Sequence, residues 1–186
     1  RLQSPTTPRW TCALAFDLNA DLATAYHLNH PTTPWACANI TSFSAWPPIA
    51  VAAHMFCAGP PCQGWTTTGQ NLGWHDTRSM PLAALPLIAT TWGIPCLLIE
   101  EVPPFKAKAW EEWSLLWKLA GYHVVIVNHE AAQSNPMCRP RVLFYIFAFW
   151  LHQMILDTGT SPADICNTPG LQTWPACLWA NQCMSP

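Results

Sequence analysis

The chain has 186 residues, 51% of them hydrophobic, enough for one sizeable core and too few for two full domains. Eight Lys and Arg against ten Asp and Glu give a formal charge of −2, which excludes an extended basic face for gripping phosphates. Nine cysteines, an odd number without regular spacing, argue against a disulfide framework and for a reducing, intracellular compartment.

Arg1 to Cys12 is a Pro/Thr-rich lead without periodicity, and it is expected to be irregular. Ala13 to Leu18 reads as a short strand ending in an acid, Asp17, and Ala20 to Asn29 as a helix with Leu22, Ala25, Tyr26 and Leu28 apolar. An acid at a strand end ahead of a helix suits the vicinal hydroxyls of a ribose. It equally suits a helix cap built from Asp17 or Asn19, and the residues alone leave both open. Pro31 to Pro48 reads as a loop containing Asn39 and Ile40.

Ile49 to Cys57 is an apolar run of strand length ending in Ala58-Gly59. It delivers Pro60-Pro61-Cys62-Gln63-Gly64-Trp65-Thr66, in which two prolines fix the backbone and stop a helix from following directly. Cys62 is therefore expected at the carboxyl end of a buried strand, where open α/β sheets place their ligands. The glycine-punctuated stretch Thr66 to His75 has the length of an active-site flap, and Asp76-Thr77-Arg78-Ser79 opens a helix to about Trp92, kinked or shortened by Pro86.

Pro95 to Val102 is a third strand ending in Glu100-Glu101. Lys108 to Ala120 is a sheet-packing helix carrying Trp110, Trp113, Leu116 and Trp117, with Gly121 as its stop. His123 to Asn128 and Val142 to about Phe149 are the fourth and fifth strands, joined by a loop holding Arg139 and Arg141. Strands alternating with helices predict a mostly parallel, doubly wound α/β sheet. The apolar run from Val142 falls short of a membrane span, so no membrane partner is expected. Cys57 with Cys62, Cys177 with Cys183 and His27 with His30 lack matching second halves, so no metal site is expected either. Asp157 to Pro186 shows neither helical nor strand period.

A thiol, a carboxyl group and two guanidinium groups thus gather at the strand ends: Cys62, Glu100, Arg139 and Arg141. Thiolate attack assisted by a proton-donating carboxyl group suits covalent addition to an electron-poor ring. In order, Gly59-Pro60-Pro61-Cys62-Gln63-Gly64-Trp65, Ile99-Glu100-Glu101-Val102 and Asn135-Pro136-Met137-Cys138-Arg139-Pro140-Arg141-Val142 resemble the Pro-Cys, Glu-Asn-Val and Pro-Gln-x-Arg-x-Arg motifs of the DNA (cytosine-5) methyltransferase family. Ala15 to His30 resembles that family's cofactor-ribose segment, and Asp76 to Ser79 the motif that follows its catalytic loop. The resemblance covers about Ala13 to Phe147 and assigns 13–156 to a catalytic domain between the irregular lead and tail.

The resemblance implies a Rossmann-like sheet and methylation of a flipped-out cytosine from S-adenosylmethionine. By it Cys62 attacks C6, Glu100 serves N3, Arg141 holds O2, and Arg139, Gln63 and Thr66 brace the loop and strand. Asp17 and Leu18 belong to the ribose segment, Asn39 and Ile40 bracket the adenine, and Pro61 lines the pocket. The chain departs from the family at Glu101 for Asn, at Met137 for Gln, and at Asn39 for the usual adenine-binding acid. The family's Gly-rich first motif and target-recognition domain are expected to be missing, leaving a fragment or decayed copy whose first strand a partner segment would supply. Three functions follow as alternatives: DNA methylation in a nucleus or a bacterial cytoplasm, transfer-RNA methylation as suggested by Thr66, and an inactive interaction module.

Overall fold

The computed structural model describes residues 11–42, 53–66, 69, 71–130 and 140–166, and these form two compact units divided after Val51. In the first unit β1 (Ala15–Asp17) and β2 (Trp35–Cys37) pair in parallel, with Ala15 opposite Trp35 and Asp17 opposite Cys37. Helix α1 (Leu22–Asn29) makes the crossover, and its Tyr26 ring lies 4.9 Å from Trp35. β2 falls within the segment expected to be loop: three residues flanked by Pro34 and Ala38-Asn39 are too short to show a period.

The second unit is a four-stranded sheet in the order β3-β4-β6-β5. Its strands are β3 (Phe56–Ala58), β4 (Cys96–Glu101), β5 (Tyr122–Glu130) and β6 (Pro140–Ala148). β3 and β4 are parallel, whereas β6 runs antiparallel to both β4 and β5 and is inserted between them. The predominantly parallel direction expected from the alternation holds for β3, β4 and β5; only the last strand reverses. Ile49 to Ala52 of the expected second strand lie outside the described residues.

Helices α2 (Met80–Trp92) and α3 (Pro103–Leu119) connect the strands. Period-2 alternation sends Leu97, Ile99, Phe144 and Ile146 to one face, where Phe105, Trp113 and Trp117 of α3 bury fully. Trp113 and Phe105 stand edge-on to Phe144 at 5.1 and 5.8 Å. Leu98, Val127, Leu143, Tyr145 and Phe147 form a core on the other face. Cys166 of the short helix α5 (Pro162–Cys166) covers it, with Leu151 and Ile155 of α4 (Phe149–Asp157) packed alongside. Both faces are therefore clothed, as a doubly wound sheet requires. α5 forms inside the stretch that shows no period, because five residues span little more than one turn.

Pro86 does not break α2. The proline removes the N–H that would have bonded the Leu82 carbonyl four residues back. The indole Nε1–H of the fully buried Trp113 donates to that carbonyl instead, at 2.9 Å. One helix thus satisfies the acceptor that a proline orphaned in its neighbour.

Candidate active site

Strand β3 ends at Ala58 and hands the chain to Gly59 and the buried Pro60. Cys62 follows, half-buried, and its carbonyl accepts from the N–H groups of Trp65 (2.9 Å) and Thr66 (3.2 Å). These bonds wind the residues after Cys62 into a turn. Gln63 and Pro61 are exposed and Thr66 half-buried.

Gly64 is buried where the two limbs of the loop meet. A Cβ there would lie 2.4 Å from Ser79 Oγ and 3.1 Å from Asp76 Cβ, so the approach depends on glycine. The Gly64 carbonyl accepts from Gly73 N–H at 2.9 Å, and Ser79 Oγ donates to the Gly73 carbonyl at 2.9 Å. Gly73 itself is left-handed, at φ +59°. The buried Asp76 accepts the Arg78 N–H at 3.0 Å and two guanidinium bonds at 2.9 and 2.7 Å, which hold its carboxyl below the usual range. Trp65, 3% exposed, lies edge-on to Phe105 at 5.1 Å and to Trp74 at 4.9 Å. The thiol therefore stands on a loop tied through its own backbone and packed against α3.

Glu100 lies one residue beyond Ile99, the register partner of Ala58, at the carboxyl end of β4. It pairs with Leu143, so Arg141, two residues back along β6, is its diagonal neighbour on the same face. The Arg141 Nε and a Glu100 carboxylate oxygen form an ion pair, with the two side chains only 9% and 16% exposed. Arg141 Nη1 also donates to the Pro140 carbonyl at 2.9 Å. His129, buried and directly opposite Arg141, faces the same side. It shares a period-2 face with Val125 and Val127, and only the register with Arg141 brings it to the site.

Glu101 points to the opposite face and is 1% exposed. Its Oε2 accepts the Val102 N–H at 2.9 Å, while Oε1 meets no partner among the described residues. Burial pushes its carboxyl group well above the usual range, with the neighbouring Glu100 adding to the rise. The two adjacent acids are thus separated by the pleat. Glu100 meets a guanidinium; Glu101 is a buried acid favoured in its neutral form.

The first unit carries the residues expected at the cofactor. Asp17 ends β1 with Oδ1 accepting the Asn19 N–H at 2.7 Å, and Asn19 Oδ1 accepts the Asp21 N–H at 3.0 Å. Asp17 therefore closes a turn ahead of α1 and does not cap the helix. Asn39 lies just past the end of β2, its Oδ1 accepting from Thr41 N–H at 2.9 Å and Thr41 Oγ1 at 2.7 Å. Leu18 is exposed and Ile40 half-buried. A carboxylate and an amide at the carboxyl ends of adjacent parallel strands fit the nucleoside half of S-adenosylmethionine.

Arg139 and the Asn135 to Cys138 stretch lie outside the described residues. Among the described residues, no group of three His, Cys, Asp or Glu is arranged to hold a metal ion, and no helix is long and apolar enough to cross a membrane.

The sequence pattern of the C-5 cytosine-specific DNA methylase family matches residues 5–148. Among solved structures the chain is similar to the Entamoeba histolytica methyltransferase EhMeth, at 17% identity and TM-score 0.58 over 73% of this chain and 44% of that one. It is also similar to a mutant of Spodoptera frugiperda DNMT2, at 20% identity and TM-score 0.56 over 74% of this chain and 42% of that one. For the S. pombe Dnmt2 methyltransferase the values are 20% and 0.54, over 75% and 42%. These likenesses establish a Rossmann-like methyltransferase fold, and the chain spans less than half the length of each of the three. No curated protein sequence gives a significant match.

Proposed function

The chain belongs to the C-5 cytosine-specific DNA methylase family, and from that premise we propose that it methylates C5 of cytosine in DNA, with Cys62 as nucleophile and S-adenosylmethionine as methyl donor. The observation that carries the reading is the Glu100–Arg141 pair beside the strand that delivers Cys62. A carboxyl group oriented by a guanidinium, on the strand paired with the one that delivers a loop-borne thiol, suits attack on a ring that must be polarised before it reacts.

In the proposed reaction the Cys62 thiolate adds to C6, forming a C–S bond as the C5–C6 π electrons move toward C5. Glu100, a carboxylate while paired with Arg141, takes up a proton from water and passes it to N3, so that negative charge does not build up on the ring. Arg141 fixes the direction of that carboxyl group and offers N–H donors to the base oxygen. S-adenosylmethionine, when bound, supplies the electrophilic methyl group that C5 takes up. Loss of the C5 proton to water and departure of the Cys62 sulfur then restore the double bond, and N3 returns its proton to Glu100. Asp17 would hold the ribose hydroxyls, Asn39 and Ile40 the adenine, and Pro61 the edge of the pocket. Gln63, Thr66 and Arg139 would brace the loop and strand. With DNA as substrate, the activity would belong inside the cell, in a nucleus or a bacterial cytoplasm.

A second reading, cytosine in transfer RNA, draws on Thr66 after the aromatic of the loop. Incubation with methyl-labelled S-adenosylmethionine and either a DNA duplex or transfer RNA, followed by digestion to nucleosides, tests both. Label in 5-methyldeoxycytidine supports the proposal. Label only in 5-methylcytidine moves the substrate to RNA, and no label with folded protein overturns both.

A further inference from the structure

The loop that carries Cys62 is held from outside as well as from within. Lys108 and Glu112 stand one helical turn apart on α3, close enough to pair with each other. Each reaches instead to the loop. Lys108 Nζ donates to Asn71 Oδ1 at 2.6 Å, and Trp74 Nε1 donates to Glu112 Oε2 at 2.7 Å. Their targets flank Gly73, and Asn71, like Gly73, is left-handed, at φ +55°. Asparagine tolerates that region better than other side chains, which lets Asn71 turn the chain and present Oδ1 to Lys108.

The contacts continue to the thiol. Gly73 N–H donates to Gly64, two residues after Cys62, and the Trp74 ring packs edge-on against Trp65. We infer that Lys108 and Glu112 are positioning residues: through Asn71 and Trp74 they hold the Gly73 turn against Gly64 and so set how Cys62 is presented. This inference rests on the reading of Cys62 as the nucleophile only for its consequence in catalysis; the clamp itself is a property of the loop.

Glu112→Leu removes the indole's acceptor from a solvent-facing site and leaves the core untouched, whereas Glu112→Gln keeps a carbonyl oxygen in its place. The measurements are amide hydrogen exchange across Gly73 to His75 and the rate of Cys62 alkylation by iodoacetamide, read by peptide mass spectrometry. In Glu112→Leu both rise roughly five-fold, the factor carried by the net worth of one hydrogen bond, with the melting temperature unchanged. Glu112→Gln stays near the wild-type rates. Trp74→Phe, which removes the donor, reproduces Glu112→Leu, and the double variant is no worse than either single.

Unchanged exchange in both Glu112→Leu and Trp74→Phe overturns the clamp. Raised exchange with unchanged Cys62 alkylation overturns its action on the thiol. Trapping on a 5-fluorocytosine oligonucleotide separates this failure from that of the functional reading: a wild-type protein that alkylates normally but traps nothing speaks against methyl transfer and leaves the clamp standing.

Discussion

Arg141 on β6 and Glu100 on β4 are diagonal neighbours across an antiparallel pair, and they form an ion pair in a nearly water-free position. Two charges so placed hold each other's orientation, and removing one leaves the other desolvated without its counter-charge. Arg141→Met is therefore expected to destabilise the protein by about 3 kcal/mol in urea unfolding, while Arg141→Met/Glu100→Gln recovers much of that loss. Under the proposed function both variants also lose methyl transfer. Equal destabilisation by the single and the double variant would contradict the pairing.

Glu101 makes stability fall with rising pH. Its folded-state carboxyl is raised well above the ordinary 4.5 by burial. Below 4.5 both folded and unfolded states are protonated, and nothing is lost. Above it the unfolded chain releases its proton first, so stability drops until the folded value is reached. Glu101→Gln, which keeps the shape and the acceptor for Val102 N–H, flattens this part of the profile and is more stable than wild type at neutral pH. Melting curves across the range check it.

His123 acts in the opposite direction. Its ring lies 3.8 Å from that of His152, and partial desolvation, with a smaller contribution from His152, lowers it from the ordinary 6.5. The stability that the neutral ring gives is fully present above 6.5 and is lost as pH falls through the lowered folded value. His123→Gln is expected to remove that acid-side loss, read as the difference from wild type in melting temperature between neutral and mildly acid pH.

Trp113 both fills the core and caps the carbonyl that Pro86 leaves open in α2. Trp113→Phe keeps most of the ring and loses the donor, costing about 1–3 kcal/mol for the unsatisfied Leu82 carbonyl, with some cavity cost besides. Adding Pro86→Ala restores an N–H for that carbonyl, so the double variant should regain stability relative to Trp113→Phe. Denaturant midpoints decide it.

Gly64→Ala places a methyl group against Ser79 Oγ, 2.4 Å from the ideal Cβ position. The loop must shift away from the Gly73 turn, so Cys62 alkylation rises, as it does in Glu112→Leu, while global stability changes less. Gly64→Ala/Ser79→Ala removes the nearest clash and brings the rate part of the way back. A loop that tolerates alanine with unchanged Cys62 alkylation would contradict the close approach.

Most of the strands and helices were legible because they carry long apolar patterns: β4, β5, β6 and α3 lie within a few residues of their expected bounds. α3 begins at Pro103, ahead of the expected Lys108, since two prolines suit a helix's first turn. The antiparallel insertion of β6 was not legible, because local alternation is the same for either strand direction. Nor was β2, whose three residues hold no pattern. In the site, Cys62, Glu100 and Arg141 stood out by motif, while the partnership of Glu100 with Arg141 needed the register. His129, Trp74 and Glu112 could not be found in sequence, as their roles depend on contacts between distant segments.

The most direct measurement is trapping of the folded protein on an oligonucleotide carrying 5-fluorocytosine, in the presence of S-adenosylmethionine, with the products resolved by mass under denaturing conditions. Fluorine at C5 cannot leave as a proton does, so a thiol that adds to C6 stays bound. A covalent complex is expected that is lost in Cys62→Ser and sharply reduced in Glu100→Gln. A folded protein that forms no complex, or one that persists in Cys62→Ser, would contradict the covalent mechanism.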